Sequence, residues 1–467
     1  MAVRPRSLRR WTRSVAFLAA ALGGISCTEV PQGPPRNIVI VLIDQLRADR
    51  VGAYGSRLGL TPEIDSLARE GFVFERARSA APWTYPSVVS LLTGLTPARH
   101  GAGRLRGAEK GWWIGPVSQN LVTLAERLQA LGFETAGFVA NPYLKPGVGV
   151  NQGFGLWRHD FVQSWASDPA NSHAKWWQAS SYADSVNKAV LAWAASSSAP
   201  RRFAYVHYID AHGPWDAAPF LTDAEKRDLS YGEKYHRGIH YVDARVGELW
   251  HQLRRLWGDD LLLIVTSDHG QAQRPEDVSN PLKENKGSLH DFNLRVPLIL
   301  ASHGSMRVRG RWHGNVSLVD VAPTLIELVG GDPHDPPFEG QSLVPILEGR
   351  ASPSHERRIY AENRDRGLAS QALLLGQDKY VAVAQPVRGH FHYHLEMDPD
   401  EMAPLLSRES DEERARFQEL AKSVAARRAL APKPADVQLD PEVVERLRAL
   451  GYTVGPEPNA QGARKTQ

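Results

Sequence analysis

The chain has 467 residues, 42% of them apolar and 23% charged, with a formal net charge of +3. That is enough chain for one large core plus a smaller one, and with no basic runs beyond the N-terminus it argues against a nucleic-acid partner. The single cysteine, Cys27, excludes an internal disulfide and a cysteine-rich metal site.

In chain order, the first feature is a targeting segment. Arg4, Arg6, Arg9, Arg10 and Arg13 precede the short apolar run Val15 to Ile25, with Cys27 just after it. The run is short for a bilayer span and reads as a signal peptide over 1–27. Its small residues before Cys27 resemble a lipobox, so an exported protein anchored through a lipidated Cys27 is expected; a simply cleaved signal would leave it periplasmic or secreted. Residues 28–36, with Pro31, Pro34 and Pro35, read as a tether. No other apolar run reaches membrane-spanning length, which leaves the lipid anchor as the one expected membrane contact.

From Asn37 strands alternate with helices. Ile38 to Ile43 is a continuous apolar run rich in β-branched residues, as for a strand buried on both faces. Thr123 to Glu126 has the form of a capping box, opening a helix whose Leu121, Leu124, Leu128 and Leu131 share a stripe before Gly132. Strands are predicted at Thr135 to Ala140, Phe203 to Tyr208, Leu261 to Thr266 and Val296 to Leu300. Helices are predicted at Tyr241 to Leu256 and Leu318 to Val329. This alternation implies an α/β fold: a large, mostly parallel sheet sandwiched by helices, over 37–356. Beyond it, Leu373 to Leu375, Tyr380 to Ala384 and His390 to Met397 suggest a small antiparallel sheet, and Asp411 to Arg427 a charged helix, in a subdomain over 357–430. Residues 431–467 read as a short helix, Asp440 to Gly451, and a disordered tail.

Three of the predicted strands end in metal-type residues: Asp44-Gln45, Asp210-Ala211-His212 and Asp268-His269-Gly270. In open parallel sheets, ligands gather beyond the carboxyl ends of strands, so these groups are expected to converge. Asp210 reads as a structural partner of its loop rather than a ligand. The segment Pro82-Trp83-Thr84-Tyr85-Pro86-Ser87 reads as a loop delivering a hydroxyl to a helix start, because Pro86 suits a first helical turn. A hydroxyl beside an anion-friendly helix end suits displacement at phosphorus or sulfur.

These residues also resemble a known family. Thr84-Tyr85-Pro86-Ser87, with Thr93-Gly94 following, is similar to the nucleophile motif of the sulfatases, Cys/Ser-x-Pro-Ser-Arg then Thr-Gly. Asp44-Gln45 resembles their first metal motif, Asp268-His269-Gly270 their Asp-Asn/His-Gly, and His212-Gly213-Pro214 their His-x-Pro. Lys286-Gly287-Ser288-Leu289, running to Arg295-Val296-Pro297, and Asp398-Pro399-Asp400-Glu401 match later motifs. The resemblance spans Asn37 to Leu406 and implies the alkaline phosphatase superfamily fold, one divalent metal ion (Mn, Zn, Ca or Mg) on Asp44, Gln45, Thr84, Asp268 and His269, and catalytic roles for Thr84, Lys286 and His212. Two positions depart from the nucleophile motif, and Gln45 stands where a second Asp is common in the first metal motif. Thr84 stands where the formylglycine precursor would be, and Val88 where the Arg would be. Asp-Gln with Asp-His is the pairing of phosphonate monoester hydrolases.

The expected function is hydrolysis of sulfate or phosphate mono- or diesters, with Thr84 as covalent nucleophile. Formylglycine-dependent turnover is not expected, since threonine has one hydroxyl and no geminal partner to expel the product. Small-molecule, glycan or lipid esters are the substrate classes open to it, and the sequence leaves the oligomeric state undetermined. Two rival readings stand beside this one: a phosphoryl or phosphoethanolamine transferase of the cell envelope, and a non-catalytic binding protein on the same scaffold.

Overall fold

The computed structural model describes residues 33–106, 112–144, 146–159, 161, 182–213, 215, 218–272, 288–304, 307–334, 337–354, 356–365, 368–385, 388–405 and 410–432. The signal segment with Cys27, most of the tether, the Asp440 to Gly451 helix and the tail lie outside the described residues.

The strands are β1 (Asn37–Ile43), β2 (Phe72–Arg78), β3 (Gly103–Arg106), β4 (Trp112–Gly115), β5 (Glu134–Val139), β6 (Leu156–Arg158), β7 (Arg202–Tyr208), β8 (Leu261–Thr266), β9 (Leu298–Ser302), β10 (Gly310–Ser317), β11 (Arg358–Asp365), β12 (Leu368–Leu375), β13 (Asp378–Gln385) and β14 (Gly389–His394). Eight of them form one sheet in the order β10-β2-β9-β8-β1-β7-β5-β6. Every neighbouring pair is parallel except the two made by β9, which runs against both β2 and β8. All seven residues of β1 are buried, as a central strand covered on both sides requires.

Each face of the sheet has its own apolar core. Ile38, Ile40 and Leu42 point to one side with Phe203, Tyr205, Leu262 and Ile264, packing beneath the helices Thr84–Thr93, Leu124–Ala130 and Val321–Leu328. Val39, Val41 and Ile43 point to the other, beneath Pro62–Glu70, Ala183–Ser196 and Tyr231–Trp257. The period-2 alternation of strand side chains thus sorts β1 between two cores.

Several elements differ from their sequence-based bounds; the strand expected at Leu373 to Leu375, for one, starts at Leu368, and four others differ for a visible reason. The Tyr231–Trp257 helix starts ten residues before Tyr241, because Ser230 and Glu233 form a capping box on a polar first turn. The strand expected at Val296 to Leu300 is Leu298–Ser302, since Pro297 has no N–H for the ladder. The helix expected from Leu318 opens as a 3-10 turn, Leu318–Asp320, before α-helix Val321–Leu328. The last strand stops at His394, where Met397 N and Asp398 N both turn back to its carbonyl.

The small sheet is antiparallel, in the order β11-β12-β13-β14. A buried charge cluster joins it to the large one. Lys379 of β13, with no exposed surface, sits 2.9 Å from Asp291 and 2.8 Å from Glu401, and Arg78 at the end of β2 reaches Asp291 at 2.7 Å. Burial alone would raise the Asp291 carboxyl; Arg78 and Lys379 outweigh it and hold the group far below the usual carboxylate range.

Candidate active site

The site grows out of strand register. In the sheet β8, β1 and β7 are adjacent, and Leu42 pairs with Thr266 on one side and His207 on the other. Continuing the alternation of β1 and β8 past their ends sends Asp44 and Asp268 to the same face as Ile40, Leu42 and Ile264, under the Thr84–Thr93 helix. His207 is on that face within β7. Ligand atoms of Asp44, His207 and Asp268, all buried, lie within 4.8 Å of one another. Asp210 has the opposite parity: its Oδ1 accepts from Ala183 N at 3.1 Å, and burial pushes its carboxyl up to about 7. It is a structural group of the far face.

Thr84 is the first residue of its helix and only 5% exposed. The helix is fastened at several points. Ser87 Oγ donates to the Asp268 carbonyl at 2.7 Å and contacts Ser79 Oγ at 2.8 Å. His100 Nε2 meets Ser90 Oγ at 3.0 Å and the Pro86 carbonyl at 3.2 Å, while His100 Nδ1 accepts from Ala102 N. Buried His100 is pushed down to about 3 and stays neutral, a structural clamp. Val88 is fully buried in the apolar core, so that position carries packing instead of a cation.

Gln45 has φ 63°, one of two described non-glycine residues in the left-handed region. Its backbone is pinned there: Gln45 N donates to Asp268 Oδ1 at 3.1 Å, and Tyr235 Oη donates to the Gln45 carbonyl at 2.7 Å. Asp268 Oδ1 also accepts from His269 N at 2.9 Å. Asp44 Oδ2 takes Asn141 Nδ2 at 2.5 Å and His207 Nε2 at 3.2 Å. The remaining oxygens, Asp44 Oδ1, Asp268 Oδ2 and Gln45 Oε1, are buried without any hydrogen-bond partner. His269 Nδ1 lies 2.7 Å from the Gly270 carbonyl, which only accepts, so the hydrogen is on Nδ1. In the neutral ring Nε2 is then a bare lone pair, 3.4 Å from both Thr84 Oγ1 and Asp268 Oδ2.

Each orphaned buried oxygen costs about 1–3 kcal/mol. The Asp44 and Asp268 carboxylates within 4.8 Å of one another, with the His269 nitrogen beside Asp268 and Gln45 bonded to it through its N–H, form a donor set suited to a divalent cation. The charges agree. Burial would raise Asp44, but its hydrogen bond from His207 works against that and holds the group below the usual carboxylate range; burial and the Asp44 charge push Asp268 up. Two such carboxylates are relieved by a cation between them.

Of the residues singled out from sequence, Asp44, Thr84, Asp268 and His269 are thus brought together, and Gln45 joins them through its backbone N–H on Asp268. His212 sits half-buried at the rim beyond β7, its N–H donating to the Ile209 carbonyl at 2.8 Å and its Nδ1 to the Gly213 carbonyl. Lys286 lies outside the described residues. Sequence reasoning missed Asn141 and His207. Asn141 follows β5 as Asp44 follows β1, and His207 continues the Phe203–Tyr205 alternation, so strand end and parity were the available signals.

Residues 36–331 match the family described as Sulfatase. An arylsulfatase of Clostridium perfringens is 23% identical over 458 residues, covering 81% of this chain and 92% of its own. Two solved structures share the fold. Ps i-CgsB in complex with k-i-k-neocarrahexaose has a TM-score of 0.64 at 21% identity, covering 90% of this chain and 98% of its own. The phosphonate monoester hydrolase of Agrobacterium radiobacter has a TM-score of 0.61 at 19% identity, covering 85% and 95%. The family match spans well over half of the chain and coincides with the segment that carries the buried oxygens and Thr84: this chain belongs to the sulfatase family of ester hydrolases.

Proposed function

We propose that this chain hydrolyses sulfate or phosphate esters through a covalent intermediate on Thr84, with one divalent cation held by Asp44, Gln45, Asp268 and His269. The observation that carries the reading is the buried grouping of the Asp44 and Asp268 carboxylates with the His269 imidazole and the Thr84 hydroxyl, in which Asp44 Oδ1 and Asp268 Oδ2 have no hydrogen-bond partner. A bound divalent cation supplies Lewis acidity there, lowering the hydroxyl pKa and drawing charge from a substrate oxygen.

The chain's own groups do the rest. Thr84 Oγ1 is held at a helix start whose first N–H groups lack intrahelical partners and favour an anion. With its proton released to solvent, it attacks phosphorus or sulfur in line; the P–O or S–O bond to the ester oxygen breaks, and His212 gives that oxygen a proton from Nε2. Water then cleaves the Thr84 ester. Since threonine offers no second geminal hydroxyl, this step occurs at phosphorus or sulfur itself, which favours phosphoryl chemistry. The arylsulfatase relative and the phosphonate monoester hydrolase neighbour bracket the ester types to try, and glycan or lipid esters are the natural candidates among them.

The test is a rate panel on one metal-analysed sample: aryl sulfate, aryl phosphate, phosphodiester and phosphonate monoester, with and without an alcohol acceptor. Turnover of a phosphate or sulfate ester to the free oxyanion, abolished by chelation, is expected. Product appearing only with acceptor would favour a transferase, and stoichiometric binding without turnover a binding protein.

A further inference from the structure

His207 and His269 both place a ring nitrogen beside the carboxylate pair, yet their surroundings sort them into opposite tautomers. For His269 the Gly270 carbonyl takes the hydrogen on Nδ1 and leaves Nε2 bare. For His207 the arrangement is reversed. Its Nε2 faces Asp44 Oδ2 at 3.2 Å, the same oxygen that accepts from Asn141 Nδ2, and a carboxylate oxygen in that role accepts, so this nitrogen carries a hydrogen. Its Nδ1 lies 2.9 Å from the Tyr205 hydroxyl, which supplies the matching donor from two residues up the same face of β7. A nitrogen committed to an N–H cannot bind a cation, so proximity to Asp44 and Asp268 does not make His207 a ligand.

Its effect falls on Asp44. The carboxylate has two oxygens, and both available donors go to one of them. Asn141 Nδ2 reaches Oδ2 at 2.5 Å, its amide orientation fixed because Asn141 Oδ1 accepts from Tyr143 N at 2.8 Å. His207 Nε2 takes the same Oδ2, leaving Oδ1 buried and partnerless. Histidine, tyrosine and asparagine are all fully or almost fully buried, so water does not substitute for them.

We propose that His207, with its tautomer set by Tyr205, is a positioning residue that together with Asn141 locks Oδ2 of Asp44 so that Oδ1 is left for the cation, and that His207 itself is not a ligand. This rests on the cation reading above, and outer hydrogen bonds of this kind are commonly worth about 10–100-fold in metal affinity.

The experiment is titration of the purified metal-stripped chain with Co²⁺, following heat and the visible absorption of the bound ion. His207→Ala and Tyr205→Phe are expected to weaken the dissociation constant by about 10–100-fold. His207→Gln, whose amide nitrogen reaches about as far as Nε2, is expected to recover most of that loss, with absorption bands where the wild type has them. Wild-type affinity in both His207→Ala and Tyr205→Phe would overturn the proposal. So would a band shift in His207→Gln, which would mark a lost imidazole ligand. If His207→Ala does not fold by circular dichroism, Tyr205→Phe, which removes a single hydroxyl, decides. A wild-type chain that binds no Co²⁺, or one unaffected by Asp44→Ala, would instead sink the cation reading itself.

Discussion

At the scale of single residues, the proposed function concentrates on one hydroxyl. Replacing Thr84 by Ala removes the proposed attacking atom but none of the partnerless oxygens, so turnover is expected to fall by at least about a thousandfold while cation binding persists. Replacing His212 by Asn is expected to slow alkyl esters by about 10²–10⁴-fold and nitrophenyl esters far less, because a good leaving group needs no proton. A rate panel across leaving groups checks both. The five residues brought together at the site were legible because each stands beyond a strand or at a helix start, where a polar type breaks an apolar run. Asn141 and His207 were harder. His207 sits inside a buried strand among Tyr205, Val206 and Tyr208, and only the register against Leu42 shows that its face is the reactive one. Val88 was legible as a departure, but its place in the apolar core was not.

At the scale of elements, the long Tyr231–Trp257 helix supports the site from the opposite face of the sheet. Tyr235 Oη holds the Gln45 carbonyl and accepts from Arg47 N at 3.2 Å, which keeps Gln45 in its left-handed conformation. Such a conformation costs about 1–3 kcal/mol and persists only when surrounding contacts impose it. Tyr235→Phe is therefore expected to lose about 1–2 kcal/mol in denaturant unfolding and to weaken cation binding as well. Farther along, Asp243 accepts from Glu63 N and Ile64 N at the start of the Pro62–Glu70 helix, at 3.0 and 2.9 Å, and burial raises its carboxyl to about 6. A folded pKa above the unfolded one means this group contributes most at low pH, and that contribution is lost as pH rises through about 6. Melting curves between pH 5 and pH 7.5 are expected to show this decline, and Asp243→Asn to flatten it. The helix was only partly legible. Its apolar stripe begins near Tyr235, whereas the polar turn from Tyr231 is specified by the Ser230–Glu233 box alone. The direction of β9 was not legible at all, since an apolar run such as Leu298–Ser302 has no orientation until it pairs.

At the scale of the whole molecule, the two sheets are coupled through the buried Arg78–Asp291–Lys379–Glu401 cluster. The Asp398 to Glu401 turn was visible as a motif, but not its partner: Lys379 lies in an alternating strand where a lysine ordinarily faces water. Lys379→Met leaves two buried carboxylates short of a cation and is expected to cost about 3–5 kcal/mol in denaturant unfolding. An unchanged midpoint would remove the cluster from the account of stability. The parallel sheet and the small antiparallel sheet were both legible from the change in pattern near Arg357. The central claim concerns the covalent step. The most direct measurement is rapid acid quench of the metal-loaded chain during turnover of an aryl phosphate and, separately, an aryl sulfate, followed by peptide mass spectrometry. A phosphoryl or sulfuryl group on Thr84, absent from Thr84→Ala, is the expected result. An unmodified Thr84 peptide with turnover preserved in Thr84→Ala would contradict it.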